Sequence, residues 1–285
     1  MTMMRLEATP VASLPGTAPA RRGRGRGRLL GLLAPLLLLG LWQTVSAGEL
    51  IAIRLLPAPG TVASSLVTFF TGPRTDTFAG VIPYSGAGLE HLQASLARLV
   101  VSWLLAVAVG TAVGLLLGLS PVFRDLLDPL LNALRAIPLF AWLPLVLIWF
   151  GIGEGAARAL IFIGALWPVL VATADATSRV PQGHIETARM LGTPRRGLWR
   201  AVYLPSALPE VLTGLRLSLT LAWTCVIVAE LSGTDRGVGA MMNAARETGR
   251  TEQVLVGIVI FATFGLAADL LLRKASRRWV RWADR

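Results

Sequence analysis

Charged side chains inside long apolar stretches are the residues of this sequence best placed to do chemistry. The chain has 285 residues, of which 54% are hydrophobic and 15% charged. A charge at membrane depth is costly, so it usually guides an ion or neutralises another charge. Seven charged residues are placed this way: Arg98, Arg135, Arg158, Asp175, Arg216, Glu230 and Asp269.

Arg98 and Arg216 are candidates for helping an anion across a membrane. The same segments carry four hydroxyl groups that would extend a polar path, those of Ser102, Ser218, Thr220 and Thr224. In the alternative interpretation the arginines pair or reach lipid headgroups, and the hydroxyls bond to their own helix or to a neighbouring helix. Arg216 and Glu230 cannot pair within one helix, because a rise of about 1.5 Å per residue separates them by about 21 Å.

Six apolar segments are long enough to position these residues in a bilayer, which takes about 20 residues of helix. They are residues 29–47, 96–119, 126–150, 157–174, 211–231 and 254–272. The third is the least regular, because Pro138 and Pro144 remove backbone donors and favour a kink. A role of this proline segment in shaping a gate is the less favoured alternative. The sequence therefore predicts an all-α integral membrane protein with six transmembrane helices.

The segments divide the chain into five parts. Residues 1–28 form a basic, disordered tail, 29–47 the first membrane helix, and 48–91 an external connector with one short helix after a proline-marked turn. Residues 92–272 form a five-helix core that contains a loop at 180–207, and 273–285 form a second basic tail. Within the second span, small residues recur every four positions and predict close helix packing: Ser102, Ala106, Gly110, Gly114 and Gly118.

The formal net charge of +11 has a topological explanation. Eighteen of the 27 Lys and Arg residues lie on the side that carries both termini and the 180–207 loop, and five on the other. This asymmetry predicts cytoplasmic termini and contact with lipid, without nucleic acid as a partner. Residues 21–47 also resemble a cleavable secretory signal ending in "VSA", but the length of the apolar run favours a retained helix.

The loop "ETARMLGTPRRGLWRAVYLP" has the local chemistry of two short helices and a joint. Gly192 suits the left-handed position after a helix end, and Thr193 followed by Pro194 suits an N-cap and first turn. Pro205 and Pro209 limit the second helix before the fifth span. The first helix has a partly apolar face, formed by Ile185, Ala188, Met190 and Leu191. One interpretation is a hairpin held to anionic lipid by its arginines.

The spacing within this loop closely resembles the cytoplasmic E-A-A-x3-G-x9-I-x-L-P motif of permease subunits of bacterial ATP-binding-cassette importers. The matching residues are Glu186, Ala188, Gly192, Val202, Leu204 and Pro205, with Thr187 and Val202 as conservative departures. Further stretches, "IPLFAWLPLVLIWFGIGE" and "VAELSGTDRGVGAMMNAARE", are similar to the branch that imports sulfonates, taurine and nitrate, most of all to the aliphatic-sulfonate members.

This resemblance implies the type I importer permease fold in a bacterial cytoplasmic membrane. Two permease subunits, here of one type, would form the pathway, and a solute-binding protein would deliver substrate. The loop would be the coupling helix seated in a cytoplasmic ATPase subunit, with contacts from Glu186, Ala188, Arg189, Gly192, Thr193, Arg195, Leu204 and Pro205. ATP and Mg²⁺ would bind to that ATPase and no cofactor to this chain, whose sequence has no G-x4-G-K-S/T loop.

Two other classes of membrane protein were weighed against an importer subunit. An integral-membrane enzyme would need a convergent set of acids, bases or metal ligands, yet the only two histidines, His91 and His184, are predicted on opposite sides of the membrane. A secondary transporter favours internal repeats and carboxylates at the membrane midplane, whereas the acids here lie towards the ends of the spans. Both classes fit the sequence less well than a transport subunit.

Overall fold

The computed structural model describes residues 24–48, 51–52, 54–73 and 84–279, and every regular element in these ranges is helical. The helices are α1 (Arg24–Ala47), α2 (Pro59–Thr71), α3 (Gly88–Leu119), α4 (Pro121–Ala136), α5 (Leu143–Phe150), α6 (Glu154–Ser178), α7 (Gln182–Met190), α8 (Arg195–Leu198), α9 (Leu204–Leu231), α10 (Val238–Glu247) and α11 (Thr251–Trp279). A 3₁₀ turn, Leu139–Trp142, precedes α5, and a π-helical turn, Trp199–Tyr203, joins α8 to α9.

Four helices of the described chain are long and apolar enough to cross a membrane. They are Gly88–Leu119, Glu154–Ser178, Trp199–Leu231 and Thr251–Ser276, and they contain the predicted spans 96–119, 157–174, 211–231 and 254–272. A bent pair of helices raises the number to five. In the first predicted span, Leu33–Ala47 is a shorter apolar helix. The described residues therefore contain four to five candidate spans, and the predicted number of six is not confirmed.

The third predicted span, 126–150, is not one helix. Pro121–Ala136 and Leu139–Phe150 meet at a bend of 92°. Ile137 is extended at φ −71° and ψ 121°, as expected for a residue that precedes proline, and Pro138 has no N–H to continue the helical ladder. The kink predicted from the prolines is thus a near-right-angle break.

The ridge of small residues on α3 is the main helix contact of the core. A Cβ added to Gly110 would lie 3.1 Å from Val169 Cβ, one on Gly114 2.6 Å from the Leu170 carbonyl oxygen, and one on Gly118 would overlap Thr177. All these neighbours lie on α6, and their order shows that α3 and α6 run parallel. The predicted packing role of the ridge is confirmed, because only glycine lets the two backbones approach this closely.

Helix α9 packs antiparallel on α6, and α11 packs antiparallel on α9. The Ser218 hydroxyl donates to the Ala165 carbonyl oxygen at 2.7 Å, deep in the α6–α9 contact. The indole N–H of Trp223 donates to the Phe261 carbonyl oxygen at 3.0 Å across the α9–α11 contact. These bonds hold the helices that carry the candidate pathway residues.

The ends of the bundle depart from the predicted boundaries. Helix α1 begins at Arg24, so residues 24–28 are helical, while 1–23 of the predicted tail lie outside the described residues. Helix α11 continues to Trp279, past the predicted end at 272, because 273–279 contain no glycine or proline to stop it. The connector contains the predicted short helix, α2, and α3 begins within it at Gly88.

Candidate functional site

The joint of the 180–207 loop lies at Gly192, which has the left-handed φ of +78°. The Thr193 N–H donates to the Ala188 carbonyl oxygen and the Gly192 N–H to that of Arg189, both at 3.0 Å. This pair of bonds is the Schellman arrangement, which closes the end of α7 with its last carbonyls satisfied. The left-handed conformation predicted for Gly192 is confirmed.

The predicted start of the second short helix is wrong by one residue. Thr193 was expected to be the N-cap, but Pro194, at φ −65° and ψ 155°, takes that position and no side chain caps the helix. The Pro194 carbonyl oxygen accepts from the N–H groups of Gly197 at 2.7 Å and Leu198 at 3.1 Å. Proline has the φ that a helix start needs, and its missing N–H costs nothing there.

The predicted stop between this helix and the fifth span is also wrong. A π-helical turn connects α8 to α9, in which the Leu204 N–H donates to the Trp199 carbonyl oxygen five residues earlier. Pro205 lies in the first turn of α9, and Pro209 lies inside the helix, where its carbonyl oxygen accepts from the Thr213 hydroxyl at 3.1 Å. The wider π turn tolerates the missing proline donor, so the loop is joined to the span by continuous helix.

The loop has a small hydrophobic core of its own. Four side chains are buried together, those of Val180, Ile185, Leu198 and Val202, and Ala188 and Tyr203 pack against them. The ring of Trp199 lies 5.4 Å from that of Tyr203. Apolar contacts of this kind hold α7 against α8 and the π turn, so the loop is a rigid hairpin.

The tip of this hairpin exposes apolar side chains. Met190 is 87% exposed and Leu191 81%, directly before the Gly192 joint. Of the apolar face predicted for α7, Ile185 therefore points into the hairpin core while these two point outward. Among the other predicted coupling residues, Glu186, Arg189 and Leu204 are exposed, Ala188, Thr193 and Pro205 are half-buried, and the Arg195 side chain lies outside the described part.

Arg98, a predicted pathway residue, is only 2% exposed and is already paired. Its guanidinium donates to Glu230 on α9 and Glu154 on α6, and to the Arg236 carbonyl oxygen at 3.0 Å. Glu154 also pairs with Arg158 at 3.4 Å. The alternative predicted for this arginine, pairing with another charge, is the one observed.

The face of α3 that carries Arg98 also holds the loop between α9 and α10. The Gly237 N–H donates to His91 Nδ1 at 3.1 Å, and the Val238 N–H to the Ser95 hydroxyl at 3.0 Å. The Gly239 N–H donates to Glu230 Oε2 at 2.7 Å. Sequence reasoning missed His91, Ser95 and Glu154 as partners. The spacing of His91 and Ser95 could have identified them as neighbours of Arg98, because residues 91, 95 and 98 fall on one helical face.

Arg216, Thr220 and Thr224 lie elsewhere, beside α11. Arg216 Nε donates to Asp269 Oδ1 at 2.5 Å, and Arg273 Nε to Asp269 Oδ2 at 2.8 Å. A cavity of about 460 Å³ is lined by Arg216, both threonines, Trp223 and Asp269. Each threonine hydroxyl donates to the carbonyl oxygen four residues earlier, at 3.1 Å. These hydroxyls therefore bond to their own helix, as the alternative interpretation predicted.

Five of the predicted pathway residues do not form one site. Ser102 is buried on the α3 ridge, and its hydroxyl has no hydrogen-bond partner among the described residues. Arg98 lies on the same helix within the ion-pair cluster, whereas the other three line the separate cavity between α9 and α11. Arg98 and Ser102 therefore do not line the cavity that the other three residues line.

The sequence matches a known family over more than half of its length. Residues 106–281 match the model of the "Binding-protein-dependent transport system inner membrane component". The chain belongs to this family. It is a permease subunit of a transporter that works with ATPase subunits and a solute-binding protein, and a separate ATPase hydrolyses the ATP.

Curated relatives cover nearly the whole permease. It is 39% identical over 254 residues to the taurine transport system permease protein TauC of Escherichia coli strain K12, covering 89% of this chain and 88% of TauC. It is 36% identical to the putative aliphatic sulfonates transport permease protein SsuC of Bacillus subtilis strain 168, covering 99% of each. The nitrate import permease protein NrtB of Leptolyngbya laminosa is 32% identical, over 84% of this chain and 83% of NrtB.

The fold has a solved counterpart. The permease superposes on a chain of the inward-facing MetNI methionine ABC transporter with a TM-score of 0.54 and 24% identity, covering 68% of this chain and 94% of that chain. The predicted all-helical importer-permease architecture is thereby supported at the level of fold.

Proposed function

We propose that this permease imports a small solute, which is an aliphatic sulfonate, taurine or a nitrate-like anion. Its relatives include permeases named for taurine, aliphatic sulfonates and nitrate. Substrate would reach the pathway from a solute-binding protein outside the membrane. ATP and Mg²⁺ would bind to a partner ATPase and no cofactor to this chain.

The hairpin of α7, α8 and the π turn is the element that couples this permease to its ATPase. The observation that carries this proposal is the exposed pair Met190 and Leu191 on a rigid support. Two exposed apolar side chains at a helix end suit insertion into a groove of a partner protein. Because helix continues from Trp199 to Leu231, a force on the tip reaches the membrane span without a flexible link.

The orientation of the permease in the membrane follows from the distribution of its positive charges. The 180–207 loop and both tails are rich in arginine, so these parts face the cytoplasm, and the connector faces outward. The membrane is the bacterial inner membrane, with arginines in contact with anionic lipid. Two copies of this permease form the pathway, as the resemblance to importers with one permease type implies.

Co-purification with the ATPase encoded beside the permease gene tests the coupling proposal. The Met190→Ser/Leu191→Ser variant should lose at least about tenfold in ATPase affinity, because truncating an anchor residue at the centre of an interface costs about 2 kcal/mol or more. Ile152→Ser is the matched control: Ile152 is equally exposed, but it lies in the turn before α6, at the other end of the bundle. This control should bind the ATPase as the wild type does.

A second outcome would favour the alternative function of the hairpin. If no ATPase binds the wild-type chain and the hairpin variant instead loses affinity for anionic vesicles, the element is a lipid anchor. Exposed Arg189 and Arg200 beside the apolar tip supply the features that such an anchor needs. The coupling proposal would then be abandoned.

A further inference from the structure

Four of the charged residues predicted at membrane depth are arginines, and these four differ in whether their charge is already neutralised. Three have carboxylate partners within the described residues: Arg98, Arg158 and Arg216. Arg135 forms no ion pair with any carboxylate in the described ranges. A passing anion is attracted less to a paired cation than to an unpaired one, because the partner's negative charge opposes it. Arg135 is therefore the strongest attractor for an anion among the four.

Arg135 lies in the last turn of α4, directly before the 92° bend. There it lines a cavity of about 460 Å³. The other walls are mainly apolar and include Pro138, Leu139, Trp142, Trp167, Val171 and Leu221. A cavity of this size with apolar walls and one charged group has the usual composition of a small-molecule site.

A second, smaller cavity adjoins the first. It has a volume of about 260 Å³ and shares Arg135, Trp167 and Val171 with its neighbour. Its walls also carry Asp128 and Asp175, which lie beyond ion-pair distance of Arg135. These carboxylates repel an anion, so a negative group is favoured on the side of Arg135 that faces the larger cavity. A site in a transport path must attract its ion, but the attraction must be weak enough for the ion to leave again.

The cavity is connected to the face of α9 that carries the threonines. Exposed residues of α9 recur every three or four positions and so form one stripe, which runs along Thr213, Leu217, Thr220, Leu221 and Thr224. Leu221 belongs to this stripe and to the cavity wall. A solute that moves along the stripe therefore meets the cavity beside Arg135.

The residues that line the larger cavity favour one class of ligand. A sulfonate is a permanent anion whose oxygens suit the two-pronged guanidinium of arginine. A short hydrocarbon tail gains free energy when it leaves water for apolar walls, whereas nitrate has no apolar part to bury. In the larger cavity the zwitterion taurine would place its ammonium group against the same apolar walls, because the carboxylates of Asp128 and Asp175 line only the smaller one. One cation beside a large apolar surface thus fits an alkanesulfonate best.

We propose that Arg135 and the apolar cavity at the α4–α5 bend form a transient binding site for alkanesulfonates within the permease. This inference rests on the proposed function, since a sulfonate must enter the pathway. It adds the residue that holds the anion and a preference for anions with a hydrocarbon tail.

Uptake into proteoliposomes tests the site with the complete complex of permease, ATPase and binding protein. The probes are methanesulfonate, butanesulfonate, taurine and nitrate. Arg135→Gln should lower butanesulfonate uptake at least about tenfold, because it removes a charge-assisted bond. Arg135→Lys keeps the charge but loses the two-pronged guanidinium, so its uptake should lie between that of the wild type and that of Arg135→Gln. Arg124→Gln is the matched control, since Arg124 is exposed on the same helix but lines neither cavity.

A second variant examines the apolar walls. Leu221→Trp fills part of the cavity and should lower butanesulfonate uptake more than methanesulfonate uptake. In the wild type, each added methylene should strengthen apparent affinity about fourfold, the effect of burying one methylene group. Co-purification of the ATPase with each variant confirms assembly.

The outcomes separate this site from the proposed function. If a loaded binding protein fails to stimulate ATP hydrolysis in the wild-type complex, the importer function itself is wrong. If the wild type transports sulfonates but Arg135→Gln keeps uptake within about twofold, or Arg124→Gln loses as much, the site is wrong and the function stands. A wild type that transports nitrate alone also overturns the alkanesulfonate site.

Discussion

Arg98 on α3 and Glu230 on α9, 132 positions apart in the sequence, form an ion pair that is buried on both sides. The same guanidinium binds Glu154 at the start of α6. One arginine therefore ties together three helices that cross the core. Glu230 in turn accepts from the Gly239 N–H, which fixes the first turn of α10.

Breaking this cluster should destabilise the permease strongly. Arg98→Ala leaves the buried Glu230 without its cation, and the free energy of unfolding should fall by about 3–5 kcal/mol. The double variant Arg98→Ala/Glu230→Ala should lose less than the sum of the two single variants, because no uncompensated charge remains at that position. Thermal unfolding in detergent measures both. Arg158→Ala removes an exposed pair and should change stability by less than about 1 kcal/mol; strictly additive losses would show that the pair is not coupled.

The close contact of α3 with α6 predicts a sharp difference between two glycines. Gly114→Ala places a methyl group 2.6 Å from the Leu170 carbonyl oxygen, a backbone atom that cannot move aside. We expect a loss of about 1–3 kcal/mol from overpacking. Gly60→Ala, on α2, meets nothing within 4 Å and should be neutral or stabilising. Equal unfolding temperatures for the two variants would argue against the ridge contact.

The joint of the hairpin predicts a local effect at Gly192. Alanine there has open space but must adopt a φ of +78°, which costs about 1–2 kcal/mol. Hydrogen exchange at the Thr193 amide should rise about fivefold or more, because its bond to Ala188 opens more often. Gly183→Ala, in the first turn of α7 with open space around it, is the control and should leave exchange unchanged. Unchanged exchange in Gly192→Ala would contradict the left-handed joint.

The pair between Arg216 and Asp269 predicts rescue by exchange of charges. Arg216→Asp should weaken the α9–α11 contact, since two carboxylates would face each other beside the cavity. The swapped variant Arg216→Asp/Asp269→Arg should regain part of the lost thermal stability. Arg273 contacts the same carboxylate, so the rescue will be incomplete. A swap no more stable than Arg216→Asp alone would show that the pair contributes nothing.

Features that depend on local chemistry were predictable from the sequence. The left-handed Gly192 follows from the preference of glycine for the position after a helix end. The ridge at Gly110, Gly114 and Gly118 follows from spacing along a single helix. The four helices that are long and apolar enough to cross a membrane follow from the length and hydropathy of their segments alone.

Features that depend on distant neighbours were not predictable. Nothing near Arg98 in the sequence identifies Glu154 or Glu230 as partners, because the fold brings them together across 56 and 132 positions. The continuous helix through Pro205 depends on a π turn that propensities do not indicate. The prolines predicted a kink, but its size of 92° depends on how α5 packs against α6.

ATP hydrolysis by the rebuilt membrane complex tests the coupling claim most directly, when Gly192→Pro is compared with Gly183→Pro. Proline cannot adopt the φ of +78° at position 192, whereas the first turn of α7 tolerates it at position 183. We predict that the substrate-loaded binding protein stimulates hydrolysis in the wild type and in Gly183→Pro, while Gly192→Pro assembles and loses that stimulation. Full stimulation in Gly192→Pro would contradict the coupling role of the hairpin.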